Sequence, residues 1–367
     1  MNIYITSEQV GLEGYWITDI LDGIFKESLK KHINVIDFVG QKIETSLEAP
    51  RPIVLVVGYS THWMEKNCSE IRAFDAMPLL VNADHGAFSE MMGPVGIVSF
   101  DLKKSVYNVL SYFLGAKRSK ICFFGAQTDS VADDIKAEEF LRIASLWKLP
   151  ISYQDVYRSG SIAECYNVFS KSIENYNAVF CSSDAAALYL VERCKEKGIR
   201  IPQDLAVIGC GDTRVCAKAQ PAISTVKNDY VELGRQAVKL HQLLQKNTDI
   251  NSASISVDCP LVLRNSTPGA SNIRMYRHKM PENKVPGYVS DPELLSVLKA
   301  EELLKNFDDI DREISRGLKA GKTTAAIAEG LFISVSAAKY RIKKMLIMTD
   351  LKNKQELTNL IKKYNLV

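Results

Sequence analysis

The first two thirds of the chain alternate short apolar runs with amphipathic stretches. Residues 53–58 (IVLVVG) and 95–100 (VGIVSF) are apolar at most positions, whereas residues 103–114 repeat apolar side chains at helical spacing. Runs that are apolar on both faces are typical of strands in a parallel sheet covered by helices. The pattern therefore predicts an α/β fold with doubly wound parallel sheets, whose ligands bind at the carboxyl ends of the strands.

The same periodicities give the individual elements. The predicted strands are residues 2–6, 35–39, 53–58, 78–82, 95–100, 120–124, 151–157, 178–181 and 205–209. The predicted helices between them are residues 16–31, 63–74, 103–114, 133–146, 162–173 and 185–197. In the first helix, Ile20, Ile24 and Leu29 are predicted to face inward.

A different pattern occupies residues 321–346, which read GKTTAAIAEGLFISVSAAKYRIKKML. Thr323 and Thr324 supply hydroxyls that can cap a short helix, and Ser334 caps a second helix after a brief connection. Three apolar residues at helical spacing form the inward face of the second helix: Ala338, Ile342 and Met345. The segment therefore predicts a helix, a turn and a second helix.

The outward face of this second helix is basic and polar. Helix-turn-helix proteins insert such a helix into the major groove, where lysine and arginine meet phosphates and short polar side chains reach base edges. A solvated amphipathic helix would carry the same face without any nucleic-acid role. The residues predicted to contact double-stranded DNA are Thr323, Ser336, Lys339, Tyr340, Arg341, Lys343 and Lys344.

Residues 268–291 separate these two patterns. They are rich in Pro, Gly, Asn and charged residues and have neither a strand nor a helix period. We expect this segment to be a linker that is either flexible or docked on the core. A helical pattern resumes at residues 293–304 and is expected to bridge the domains or to pair in a dimer. The predicted domains are a core (1–267), the linker (268–291) and a helical domain (292–367).

Net charge becomes informative once it is divided along the chain. The whole chain carries +3, but residues 312–367 contain 12 Lys and Arg against 4 Asp and Glu, or +8. Subtraction, 3 − 8, leaves −5 for residues 1–311. Positive charge is therefore concentrated in the helix-turn-helix pattern, as a nucleic-acid partner requires.

Composition sets further limits. The chain begins MNIYIT, without a charged segment followed by an apolar core, and has no run of about 18 apolar residues, so we expect a cytoplasmic protein with no membrane partner. The eight cysteines lack metal-ligand spacing and are expected to be buried, reduced thiols. Histidine clusters, phosphate loops and nucleophile motifs are absent, so we predict no metal, no cofactor and no enzymatic activity.

Residues 176–215, which begin YNAVFCSSDAAALYL and end DLAVIGCGDTRV, resemble the effector-binding core of lactose/galactose-repressor-type (LacI-type) regulators and type I periplasmic binding proteins. The resemblance continues through VGIVSFD at 95–101 and PLVLRNST at 260–267 and spans nearly all of residues 1–267. It implies two lobes, one of about residues 1–117 and 228–258 and one of about residues 120–225 and 260–267. It also implies that a small-molecule effector binds between the lobes and closes them.

The resemblance further implies ligand contacts at four strand ends: Asp101, Lys136, Ser183 and Asp212. Lys136 stands where sugar-binding members have an arginine, and Ser183 stands where they have an asparagine. Gly211 replaces their usual aspartate, although Asp212 remains beside it. These departures weaken the assignment of a sugar. Helix capping or a surface charge is the alternative role for Asp101, Lys136 and Asp212.

Two aromatic residues lie near the loop that follows the first strand. Tyr15 and Trp16 are expected to stack on a ring or an apolar face of the ligand. For Trp16, packing in the core at the start of the helix is an equal alternative.

The C-terminal pattern resembles the LuxR-type (quorum-regulator-like) DNA-binding domain. The resemblance covers residues 307–361 and includes DREI at 311–314, AIAEGLFIS at 326–334 and KNKQEL at 352–357. It implies that residues 308–320 form a first helix that supports the helix-turn-helix. It also implies that residues 335–346 are the recognition helix and that residues 351–363 are a closing helix often used for dimerisation. Ala338 departs from the larger aliphatic residue usual in the family, and Thr349-Asp350 departs from the usual Leu-Gly.

Together these observations predict a ligand-responsive transcription regulator that binds DNA through its C-terminal helices and senses a small molecule between two lobes. A homodimer is expected from both resemblances. Two alternatives stay open. In the first, the core has lost ligand binding and serves dimerisation or a protein partner. In the second, the chain is a cytoplasmic solute-binding sensor with no DNA role.

Overall fold

The computed structural model describes residues 2–9, 15–38, 51–58, 60–83, 93–128, 130–269, 276 and 291–367, with the backbone alone for Tyr15 and Thr61. The chain divides into two compact units, Met1–His278 and Lys279–Val367. Most of the predicted linker, residues 270–275 and 277–290, lies outside the described residues. The predicted domain boundaries therefore stay predictions.

Strands and helices alternate through the first unit. Its first elements are β1 (Asn2–Ser7), α1 (Tyr15–Lys30), β2 (Asn34–Asp37), β3 (Ile53–Val57), α2 (Thr61–Ala73), β4 (Met77–Val81), β5 (Val95–Phe100), α3 (Leu102–Gly115), β6 (Ile121–Gln127) and α4 (Val131–Leu146). They are followed by β7 (Val156–Ser159), α5 (Ile162–Phe169), β8 (Ala178–Cys181), α6 (Asp184–Glu196), β9 (Ala206–Gly211), α7 (Arg214–Lys218), β10 (Ser224–Lys227), α8 (Tyr230–Lys246), β11 (Ser252–Val257) and β12 (Leu261–Val262).

These strands form two six-stranded sheets within the described residues. The first has the order β11-β5-β4-β3-β1-β2, and all of its neighbouring strands are parallel. The second has the order β12-β10-β9-β8-β6-β7, and only β12 runs antiparallel to its neighbour. The predicted α/β fold with two parallel-sheet lobes is confirmed.

Burial explains which strands the sequence reveals. The central strands β3 (IVLVV) and β4 (MPLLV) are buried at every position and pair in register, with Leu55 opposite Leu79. The edge strand β11 (SASISV) is exposed at alternate positions. Its sequence alternates serine with apolar residues, which is the period of a half-buried edge strand and not the continuous apolar run used to predict the other strands.

Three local differences from the predicted elements have simple physical causes. Leu29 is 77% exposed rather than inward, because it lies five residues beyond Ile24 and is therefore rotated about 140° around the helix. The predicted strand 151–157 begins instead with a 3₁₀ turn, Tyr153–Asp155, in which Ser152 and Asp155 form a capping box. The predicted helix 162–173 ends at Phe169, where the chain turns.

Helix α3 joins the two sheets. The predicted lobe boundary at residue 117 assigns it to the first lobe, yet it packs on α4 and β12 of the second. The ring of Tyr107 on α3 meets Trp147, at the end of α4, edge to face with centroids 5.1 Å apart. By its packing, α3 therefore belongs with the second sheet.

Two composition-based expectations can be compared with the structure. All eight cysteines are buried and free, as predicted. Burial raises the pKa of Cys68, Cys194 and Cys216 to about 12, so these thiols stay protonated. None of the helices in the described part of the chain combines the length and hydrophobicity needed to span a bilayer.

Helices α1 and α8 pack with their backbones in contact. A Cβ atom at Gly234 would lie 2.1 Å from the carbonyl oxygen of Ile20, and one at Gly23 would lie 2.0 Å from that of Val231. No real side chain fits at such distances. The two glycines therefore permit the close approach of the helices that cover one face of the first sheet.

Replacing Gly234 with alanine is expected to lower the free energy of unfolding of the first unit by about 2 kcal/mol, because the added methyl group must push α1 and α8 apart. Urea unfolding can be followed by tryptophan fluorescence, since all three tryptophans lie at positions 16, 63 and 147. Gly160→Ala is the control, because the nearest atom to its added Cβ is 3.6 Å away. An unchanged urea midpoint for Gly234→Ala would contradict the tight crossing.

The second unit is helical. Its elements are α9 (Pro292–Asn306), α10 (Asp309–Lys319), α11 (Thr324–Gly330), α12 (Val335–Met348) and α13 (Lys354–Tyr364). Each helix begins with a side chain that accepts a hydrogen bond from a backbone N–H of its own first turn: Asp291, Asp308, Thr323, Ser334 and Asn353. Such caps fix where each helix starts.

One apolar cluster holds these helices together. Leu303 of α9, Ile314 of α10 and Ile327 of α11 are almost completely buried in it. The predicted inward residues of α12, namely Ala338, Ile342 and Met345, are also buried. Thr323 and Ser334 cap the starts of α11 and α12. The sequence-based prediction of a helix, a turn and a second helix is therefore confirmed as local structure.

Candidate functional site

The carboxyl ends of the strands in the first unit surround a cleft with a volume of about 830 Å³. Its described lining follows strand ends in both sheets, where parallel sheets usually hold their ligands. From the first sheet and its helices it includes Trp16, Asn82, Ser99, Phe100 and Tyr230, and Asn228 lies between β10 of the second sheet and α8. From the second it includes Gln127, Asp133, Lys136, Ser183, Asp184, Tyr189, Cys210 and Thr213.

Aromatic rings form one wall of the cleft. The ring of Trp16 stacks on that of Tyr230, with centroids 5.5 Å apart and planes 23° apart. Phe100 meets Tyr230 edge to face at 5.2 Å. Trp16 lies in the core of the first lobe and also lines the cleft, so both of its expected roles are compatible with its position. The side chain of Tyr15 lies outside the described residues.

Tyr230 and Phe100 were not among the predicted ligand residues. Phe100 is the last residue of β5 and immediately precedes Asp101, which the sequence analysis selected instead. Tyr230 is the first residue of α8, after the cap Asp229. Their position at element ends, directly beside the carboxyl edge of a sheet, is the signal that could have identified them.

Lys136 is buried and bound entirely by protein atoms. Its Nζ donates to the carbonyl oxygen of Ser182 at 2.6 Å and lies 2.7 Å from Oδ1 of Asp133. Burial alone lowers the pKa of Lys136, but the nearby carboxylate of Asp133 raises it above its ordinary value. The charged lysine therefore ties α4 to the connection between β8 and α6.

The two carboxylates in the described lining of the cleft also have hydrogen-bond partners. Oδ2 of Asp133 accepts from the backbone N–H of Gln127 at 2.9 Å. Asp184 accepts from the backbone N–H and hydroxyl of Thr213 at 2.6 and 2.9 Å, and from the hydroxyl of Thr225 at 2.6 Å. These bonds join the start of α6 to the connection after β9 and to β10.

The other predicted ligand residues differ in position. Ser183 lines the cleft and caps α6 by accepting from the N–H of Ala186 at 3.2 Å. Asp101 caps α3 by accepting from the N–H of Lys104 at 3.0 Å, and it is absent from the described lining. Asp212 has a φ of 59° and pairs with Arg264, also outside that lining. The structure therefore brings Trp16, Lys136 and Ser183 together at the cleft.

The predicted DNA-contacting residues lie on the second unit. Ser336, Lys339, Tyr340, Lys343 and Lys344 are exposed on α12. Thr323 is exposed and caps α11 by accepting from the N–H of Ala326 at 3.2 Å.

Arg341 differs from its neighbours on α12 because it is already paired. Its Nη1 lies 2.7 Å from Asp308 and 2.8 Å from Asp311, at the start of α10. Hydrogen bonds from Arg341 lower the pKa of Asp308, and the two carboxylates raise the pKa of Arg341. Arg341 therefore ties α12 to α10 instead of projecting beyond α12 with the lysines.

Comparison with known proteins finds a family match for part of the core. Residues 110–267 match the family model described as a periplasmic binding protein-like domain. The two-lobed fold resembles solved LacI-family regulators, including one from Bacillus cereus subsp. cytotoxis (TM-score 0.59, 14% identity, 73% of this chain and 98% of that one). A complex of the regulator CelR with cellobiose gives a TM-score of 0.58 at 14% identity, covering 72% of this chain and 84% of that one. At these identities the likeness concerns the fold alone.

The curated relatives that the chain resembles carry the names of transcription regulators. The chain is 25% identical over 178 residues to the NTD biosynthesis operon regulator NtdR of Bacillus subtilis, covering 47% of this chain and 54% of that protein. It is 33% identical over 90 residues to the repressor CytR of Escherichia coli, covering 24% and 26%. It thus spans between about a quarter and about half of these relatives. The LuxR-type assignment of the second unit stays a prediction.

Replacing Lys136 with methionine is expected to lower the free energy of unfolding of the first unit by about 3 kcal/mol, because it leaves the Asp133 carboxylate buried without its cation. The double variant Lys136→Met/Asp133→Asn should recover part of that loss. Urea unfolding monitored by tryptophan fluorescence measures both, with Lys195→Met, an exposed lysine, as the control. Equal losses for the single and double variants would contradict the proposed origin of the effect.

Proposed function

We propose that the protein is a ligand-responsive transcription regulator. Its core would sense a small molecule in the cleft, and its helical unit would bind double-stranded DNA. One observation carries this proposal. The same chain combines a core that bears a cleft and resembles regulators with a helix, α12, whose exposed face is basic. Such a function would place the protein in the cytoplasm, with chromosomal DNA.

The case for DNA rests on the α11–α12 pair. Four residues, 331–334, connect the two helices, and the inward face of α12 is anchored in the core of its own unit. Lys339, Lys343 and Lys344 remain exposed along the outward face, where they can meet phosphates. We leave Arg341 out of the proposed contacts, since its guanidinium is held by two carboxylates.

Replacing Lys339 or Lys343 with alanine is expected to weaken binding to all duplexes alike and to reduce the salt slope, d log K/d log[salt], by about 1 each, because one phosphate contact is lost. Fluorescence anisotropy on a duplex selected by the protein from a random pool, between about 50 and 200 mM salt, measures both quantities. Lys195→Ala is the control. Binding that is absent, or that does not respond to salt, would contradict a DNA-binding role.

The case for ligand sensing rests on the cleft. Its volume of about 830 Å³ suits a small molecule, and its lining mixes aromatic rings with neutral polar groups such as Asn228 and Ser183. Two structural neighbours hold cellobiose and sucrose. A sugar or a related metabolite is therefore our proposed effector class. Trp16, Tyr230 and Ser183 are the proposed contacts.

A true effector at about 100 times its dissociation constant is expected to stabilise the first unit by about 2.7 kcal/mol. A thermal-shift screen of sugars and related metabolites tests this. The same effector must change DNA affinity, and DNA must change effector affinity by an equal factor. Tyr230→Leu should weaken effector binding, whereas Tyr153→Leu, at an 84% exposed residue outside the described lining, should not. If no compound in the screen stabilises the protein while DNA binding is intact, the result would favour a core that has lost its ligand.

We also propose a homodimer. Helix α9 buries Ala300 and Leu303 in its own unit but exposes the apolar side chains of Val297, Leu298 and Leu304. A second copy of the chain would cover that exposed set. Sedimentation equilibrium of the full chain tests this state, and Leu298→Glu should shift it towards monomer. A monomeric wild type at DNA-binding concentrations would contradict the homodimer.

A further inference from the structure

Phe332 is the most exposed large apolar side chain among the described residues. It lies in the turn between α11 and α12, is 97% exposed and has a φ of 53°, a conformation uncommon for a bulky residue. The turn is fixed by hydrogen bonds from the N–H of Phe332 to the carbonyl of Glu329, at 3.2 Å, and from the N–H of Ile333 to that of Ala328, at 3.0 Å. The backbone thus holds this benzyl group outward in a defined place.

A second exposed apolar residue follows at the start of α12. Val335 is its first residue and is 42% exposed, while Ser334 between them caps the helix through the N–H of Ala337. The first turn of the proposed recognition helix therefore presents apolar groups, and cationic ones follow along the same helix at Lys339, Lys343 and Lys344.

This order of groups restricts what can cover them. Lysine is depleted at protein–protein interfaces, so an apolar pair adjoining three exposed lysines suits a polyanion better than another protein. In the major groove, the first residues of a recognition helix contact base edges. The apolar group that those edges offer is the 5-methyl group of thymine.

We propose that Phe332 and Val335 contact thymine methyl groups and so make the protein prefer A·T or T·A pairs at those positions. This inference rests on the proposed DNA-binding function and deepens it, because it assigns the source of sequence preference. The lysines then supply affinity that does not depend on sequence.

The first test changes the DNA and leaves the protein as it is, because it removes the methyl groups of thymine. Full-length protein selects duplexes from a random pool, and its dissociation constant is measured on the selected duplex and on a copy with deoxyuridine in place of thymidine. We expect the dissociation constant to rise about 4-fold for each contacted methyl group that is lost. Salt concentration is held constant, because phosphate contacts depend on it.

Variants connect the methyl effect to the two residues. Phe332→Ser and Val335→Ser should each bind the thymine duplex more weakly and show a smaller difference between the thymine and uracil duplexes. Ile347→Ser is the matched control, because Ile347 is 70% exposed near the other end of α12 and should leave the difference unchanged.

The outcomes separate this inference from the function on which it rests. Tight binding with no penalty for uracil would overturn the thymine contacts while leaving DNA binding intact. An undiminished uracil penalty in both serine variants would assign the methyl contacts to other residues and also overturn the inference. A change in sedimentation mass caused by Phe332→Ser would point to a second copy of the chain as the partner. Failure to bind any duplex would contradict the proposed function itself.

Discussion

The backbone contact between α1 and α8 determines how the cleft side of the first lobe is built. Gly23 and Gly234 let the two helices approach more closely than side chains would allow. Trp16 lies in the first turn of α1 and Tyr230 opens α8, so the same contact brings their rings together at the mouth of the first sheet. The aromatic wall of the cleft is thus a consequence of helix packing, and its rings cannot separate without disturbing the core.

The second wall of the cleft is polar, and its charged groups form their hydrogen bonds within the protein itself. Lys136, Asp133 and Asp184 would each be costly to bury alone, and each is bound to its neighbours across the strand ends. A ligand that needed one of these charges would have to displace an existing partner. Among the described residues, the groups best placed to recognise a ligand are therefore aromatic rings, amides and hydroxyls.

The sequence predicted elements correctly where hydrophobic periodicity and burial agree. It predicted the role of a side chain less well where that role depends on a partner far along the chain. Continuous apolar runs such as β3 revealed the sheets, and the hydroxyl of Ser334 revealed the start of α12. Asp101 occupies a strand end and caps its own helix, the alternative role that its position had already offered. The role of a charged group can also depend on distant partners that spacing does not show. Arg341 looks like part of a basic face, yet it binds a carboxylate thirty residues away at Asp311.

Helix α3 has a particular place in any coupling between the cleft and the rest of the chain. It follows β5 of the first sheet directly and packs on α4 of the second. The backbone N–H of Tyr276 donates to the carbonyl of Ser111 on α3 at 3.1 Å, and the Tyr276 ring meets Trp147 at 5.0 Å. Tyr276, near the end of the first unit, is therefore attached to α3 and to the end of α4. In a two-lobed protein of this kind, a ligand changes the arrangement of the lobes only to the extent that it binds the two arrangements with different affinities.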